Sequence, residues 1–176
     1  MLRYFRIVLT LLFLPHVILS QVTPKEGGFL NYRLIGFSFP AKGKTKSYQL
    51  EIASGYCKEK GQFRKNLLKT VTCKTNRVIA EVPSFGTPYT WRVVYSCEKG
   101  ACSYSPLYHF TTGALPPELN GNTRLRITAT ATAFRDAYVL VDGTKTMYDM
   151  NGNPVWYLPL VVGKNIVPRD LKATPH

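Results

Sequence analysis

Four cysteines, three histidines and a few acidic residues in turns are the side chains with the chemistry to react or to hold a metal. The cysteines are Cys57, Cys73, Cys97 and Cys102, and an even number suggests two disulfides in an exported chain. Cys97 and Cys102 bracket Glu98-Lys99-Gly100-Ala101, which suits a bridge across a hairpin loop and leaves Cys57 to pair with Cys73. Zinc is the rival use, but the partners have 15 and 4 residues between them and lack Cys-x-x-Cys knuckles. Of the histidines, His16 falls in the amino-terminal leader and His176 is the last residue. His109 lies between Tyr108 and Phe110 on an expected strand, so it faces away from them, solvated or packed on an edge, and is not expected to be catalytic. Asp142, Asp149 and Asn151 offer oxygens to calcium, yet their spacing follows no calcium loop and turn formation explains them better. Gly43-Lys44-Thr45 has the ending of a phosphate loop. Ser38 stands where its first glycine is required, and the context is strand-turn-strand, so that reading is rejected.

These residues sit on a chain that reads as strands. The apolar fraction is 45%, ordinary for a folded protein, and eleven Tyr, nine Phe and two Trp favour strands over helices. Asn31 to Phe39, Ser47 to Ala53, Arg77 to Val82, Tyr89 to Tyr95 and Ser105 to Thr112 are expected strands, and in the fourth Tyr89, Trp91, Val93 and Tyr95 share one face. Gly55 to Cys73 reads as a long loop or a helical turn. Beyond Pro116-Pro117, Arg124 to Ala133 alternates Leu125, Ile127, Ala129, Ala131 and Ala133 with polar residues, as a strand does. Ala137–Val141, Lys145–Asp149 and Pro154–Leu158 form three short strands joined by Asp142-Gly143-Thr144 and Asn151-Gly152-Asn153, which are hairpin turn signals. Leu160-Val161-Val162 reads as a further short strand.

Met1 to Ser20 carries Arg3 and Arg6, then an apolar run broken by Pro15 and too short to span a bilayer, and ends on a small residue: a signal peptide is expected. Export to the periplasm or the extracellular space follows, with no membrane span after cleavage. The net charge of +13 is uneven, with 14 basic and 5 acidic residues from 21 to 113 against 7 and 5 thereafter. Export and the lack of a recognition motif argue against nucleic acid as the partner, and an anionic glycan or surface fits better.

Two resemblances sharpen this. Pro83-Ser84-Phe85-Gly86-Thr87-Pro88-Tyr89-Thr90-Trp91-Arg92-Val93, with Phe110-Thr111-Thr112 after it, is similar to the last strands of fibronectin type III and immunoglobulin-like modules. Tyr148-Asp149-Met150-Asn151-Gly152-Asn153-Pro154-Val155-Trp156-Tyr157, followed by Arg169-Asp170-Leu171-Lys172-Ala173-Thr174-Pro175, resembles the start of the propeller in bacterial arylsulfotransferase-like proteins. Together they imply an all-β chain: signal peptide 1–20, fibronectin type III or Ig-like sandwich 22–113, linker 114–122, and the first blade of a β-propeller over 123–176. That family moves a sulfuryl group from an aryl sulfate to a phenol through a channel histidine, without a cofactor. No histidine of this chain matches such a position, so the resemblance implies an amino-terminal portion, ended early and inactive alone. It places Arg169 and Asp170 as candidate substrate-binding residues at the channel mouth. The alternative expectation is a complete secreted sandwich module that binds an anionic glycan or surface partner through a basic face.

Overall fold

The structure, a computed structural model, describes residues 22–43, 45, 47–98, 101–119, 125–129 and 131–159. The expected signal peptide, His16, His176, the stretch 160–162, Arg169 and Asp170 lie outside the described residues. Among the described residues the chain is all-β apart from one short helix and three 3-10 turns. Its elements run β1 (Gly28–Leu30), β2 (Leu34–Ser38), β3 (Tyr48–Ser54), α1 (Lys60–Lys65), β4 (Leu67–Cys73), β5 (Arg77–Glu81), β6 (Pro88–Glu98), β7 (Ala101–Tyr104), β8 (Tyr108–Thr112), β9 (Tyr138–Val141), β10 (Thr146–Asp149) and β11 (Pro154–Tyr157).

The largest sheet has the order β1-β8-β6-β3-β4, with β7 also on β6, and β2 pairs with β5 in a second sheet. The core lies between these two sheets. Alternation builds it: β3 turns Tyr48, Leu50 and Ile52 inward, β6 turns Tyr89, Trp91, Val93 and Tyr95 inward, and β2 meets them with Ile35 and Phe37. Trp91 is fully buried at the centre, edge-on to Phe37 at 5.1 Å and tilted on Tyr108 at 4.8 Å between ring centroids.

Residues 55–73 supply regular structure where a loop or single turn was expected. α1 seats its one buried side chain, Phe63, against Ala53 and Cys57 on the outer face of the large sheet, and β4 then pairs with β3 from Tyr48↔Cys73 to Ala53↔Leu67. Phe63 also stacks on Arg92, whose guanidinium lies 4.6 Å from that ring and 4.3 Å from Tyr104, with Nε 2.6 Å from Glu51 Oε2. The expected strand from Arg124 to Ala133 is corrected: 125–129 is irregular and Thr132–Phe134 is a 3-10 turn. Its inward positions are mostly alanines, and Ala129, Ala131 and Ala133 remain exposed, so the alternation buries too little apolar surface to hold a strand.

β9, β10 and β11 form a third, antiparallel sheet. Asp142–Thr144 makes the first connection as a 3-10 turn that leaves Lys145 left-handed (φ 52°). The second turn places Gly152 at φ 80°, which Asn-Gly chemistry supplies, and a side chain there would strike the Leu125 carbonyl. This sheet is not free-standing. Its β11 edge meets residues 31–33 through an isolated antiparallel bridge: Tyr157 N–H donates to the Asn31 carbonyl at 3.1 Å, Arg33 N–H donates to the Val155 carbonyl at 2.9 Å, and Tyr32 bridges Trp156.

Candidate functional site

Among the described residues, those singled out for chemistry do not converge. Cys102 is disulfide-bonded, and the β6–β7 register sets Cys97 opposite it. The expected Cys57 to Cys73 bridge is corrected: both are free thiols. Cys73 pairs with Tyr48 at the start of β3, whereas Cys57 follows that strand's end at Ser54. Six residues of strand hold them on the order of 20 Å apart, far beyond the roughly 7 Å that a disulfide tolerates between Cα atoms. Burial raises the Cys73 thiol above its ordinary value, which disfavours the reactive thiolate. Cys57 Sγ faces the Ser54 and Gly55 carbonyls in the small cluster under α1. Among the described residues no three His, Cys, Asp or Glu side chains group to hold a metal. The disulfide closes a short loop, so Cys102→Ser should lower stability by about 2 kcal/mol. Denaturant unfolding should then give the same midpoint with and without reductant.

His109 is held rather than solvated. Nδ1 meets Glu26 Oε1 at 2.8 Å, Nε2 meets the Cys57 carbonyl at 3.1 Å, and Tyr56 stacks on the ring at 4.0 Å. Both partners are oxygen acceptors, and among the described residues no hydroxyl or thiol is hydrogen-bonded to the ring for it to activate. The cluster ties the segment before β1 and the loop after β3 to β8. Asp149 is likewise used in its turn: Oδ1 accepts the N–H groups of Asn151 and Asn153, both at 2.9 Å, and Oδ2 accepts Asn153 Nδ2 at 3.2 Å.

Arg33 is the polar centre of the junction between the sandwich and the third sheet. It is 8% exposed; Nε donates to the Pro154 carbonyl at 2.9 Å, one terminal nitrogen donates to the Pro83 carbonyl at 2.8 Å and the Val82 carbonyl at 3.3 Å, and the other pairs with Glu81 at 3.1 Å. Beside it a cleft of about 500 Å³ opens between Phe85, Leu115 and Pro154. Tyr157 packs on Phe85 at 5.5 Å, and its burial raises the phenol above its ordinary value. A Cβ at Gly113 would fall on the Tyr157 hydroxyl and the Phe29 ring, which explains glycine there. Burial raises Tyr138 too, followed by the negative charges of Glu81, Asp149 and Asp136. With its donors committed to holding two sheets together, Arg33 has little left for a ligand.

The remaining concentration of chemistry is electrostatic. Lys58, Lys60, Arg64, Lys65, Lys69, Lys74 and Arg77 are all exposed, and Glu59 is the single acid in that span, giving a net +6 over residues 58–77. Lys58, Lys60, Arg64 and Lys65 sit on and beside α1 over the outer face of the large sheet, Lys69 and Lys74 follow on its edge strand β4 and the turn after it, and Arg77 lies beyond that edge on the outer face of the β2–β5 sheet. The ion pairs among the described residues are Arg33 with Glu81, Arg92 with Glu51 and His109 with Glu26, so none of the seven cations is neutralised by a neighbour. Leu67 and Leu68, 41% and 49% exposed, lie among them. The excess of positive charge in the first half was legible in the sequence, but not its focus, because 58–73 had no recognised element on which to place it. Neither a family model nor a curated protein matches the chain.

Proposed function

We propose that the chain is an exported β-sandwich binding module whose cationic surface over α1 and β4 engages an anionic glycan or a similarly charged surface. The observation that carries this is the set of six exposed cations on α1, the edge strand β4 and the segments beside them, Lys58, Lys60, Arg64, Lys65, Lys69 and Lys74, none of which is in an ion pair among the described residues. Like charges without acidic partners repel one another, and a polyanion relieves that repulsion while releasing its own counterions. The strand order, β2-β5 against β8-β6-β3-β4, supports a fibronectin type III-like reading of the sandwich. The test is binding to a sulfated polysaccharide across a salt series. Affinity should fall steeply with salt, and Lys60→Glu/Arg64→Glu/Lys69→Glu should weaken it at least about tenfold and flatten the salt dependence. The same charge change at Lys25, Lys42 and Arg135 should weaken it much less; equal loss from both sets removes the site.

A second reading keeps the arylsulfotransferase-like resemblance, with β9–β11 as the first blade of a propeller. The three-stranded meander, with its Asp142–Thr144 and Asp149–Asn153 turns, favours it. In that reading aryl sulfate and phenol are substrates of a longer protein, and Arg169 and Asp170 are its candidate contacts in this chain. Reading the coding sequence beyond His176 tests it: further Asp-x-x-Gly-x-x-Trp blades with channel histidines support it, and unrelated sequence removes it.

A further inference from the structure

β5 is the outer strand of its two-stranded sheet, and among the described residues nothing pairs with its second edge. Three hydrogen bonds fix which backbone groups face that edge. Val82 N–H donates to the Arg33 carbonyl, and Ser38 and Thr23 bond each other on the far side of β2. By the alternation of an antiparallel ladder, Val78 and Ala80 therefore point their N–H and C=O groups at β2. Arg77, Ile79 and Glu81 point theirs outward, with the Arg77 carbonyl also accepting Thr75 Oγ1 at 2.8 Å.

The same three residues expose their side chains on the outer face, Ile79 at 66%. Read antiparallel to itself about Ile79, the segment Arg77-Val78-Ile79-Ala80-Glu81 is self-complementary. Ile79 meets Ile79, Arg77 meets Glu81, and Glu81 meets Arg77. In this register the outward-facing N–H and C=O groups also lie opposite one another. Arg33 binds Glu81 through Oε1, which leaves Oε2 for a second cation. Other edges are less suited to pairing with themselves. β4 has Lys69, a register shift opposite Ile52/Ala53 and flanking cations, and β1 has three residues. β9 has four uncharged residues, with no ion pair to set a register.

We propose that β5 is the interface of a two-fold dimer, its occupant a second copy of this chain, with the sheets joined as β2-β5-β5-β2. A two-fold contact of this kind consumes the open edge in both copies and stops at two. The proposal does not depend on the polyanion reading. Sedimentation of the full chain should show a concentration-dependent monomer to dimer equilibrium. Ile79→Lys, which sets two ammonium groups opposite each other at an exposed position, should weaken it at least about tenfold. In a Cys73→Ser background, Ile79→Cys should cross-link into a disulfide dimer under oxidation, because the axis passes beside it. Arg77→Cys should not, since its own copy lies about four residues away along the strand. A wild-type monomer at every concentration, a dimer indifferent to Ile79→Lys, or equal cross-linking at positions 77 and 79 would overturn the proposal.

Discussion

Arg33→Ala should cost about 3 to 5 kcal/mol, and the loss should fall first on the third sheet. The guanidinium is almost fully buried, and it serves the carbonyls of Pro154, Val82 and Pro83 as well as Glu81. Without it those carbonyls lose their donor, at about 1 to 3 kcal/mol for each that stays dry, whereas the half-exposed Glu81 can hydrate. Pro154 begins β11, so its bond to the guanidinium helps to seat this sheet on residues 31–33. Amide exchange in β10 and β11 should accelerate by orders of magnitude more than in β3 and β6. Arg33→Lys should lose nearly as much, because one ammonium cannot span both sides of the fork. Equal acceleration across all four strands would mean that Arg33 supports the sandwich as a whole rather than the junction.

Trp91→Ala should be the most damaging core change, at about 3 to 5 kcal/mol, since it empties the centre of the sandwich where Phe37 and Tyr108 rest on the indole. Trp91→Phe separates two contributions to that loss. Trp91 Nε1 is buried with no hydrogen-bond partner among the described residues. Phenylalanine therefore loses volume but also removes an orphan donor, whose burial costs about 1 to 3 kcal/mol. Chemical denaturation should give Trp91→Phe less than half the loss of Trp91→Ala. Similar losses for the two would show that the indole N–H is satisfied in solution.

The strands that hold this core were the legible part of the sequence. Tyr89, Trp91, Val93 and Tyr95 alternate large apolar side chains over a polar face, a pattern with only one inexpensive solution. The three strands after residue 137 were legible for the same reason, helped by turn residues that accept a positive φ at Gly152. The same alternation failed at Arg124 to Ala133, where period two is present but the alanines have too little surface to bury. β4 was hidden by the opposite fault: as an edge strand it leaves Leu67 to Thr70 exposed and so has no inward stripe, and its pairing with β3 is a fact of tertiary structure. The misassigned cysteine pair follows from that omission, because the register of β4 is what separates Cys57 from Cys73. His109 sits on the expected face, but its clamp to Glu26 joins residues 83 positions apart, which no local pattern records. The cationic surface was visible only as a regional excess until α1 and β4 gathered it.

A nuclear magnetic resonance titration of the chain with a short sulfated oligosaccharide tests the proposed binding surface most directly. Chemical-shift changes should concentrate on Lys58 to Lys74, with the largest on α1 and the adjoining end of β4, and should fade as salt is added. Shifts spread evenly over every basic residue, or centred on the Arg33 cleft instead, would contradict the assignment of binding to this surface.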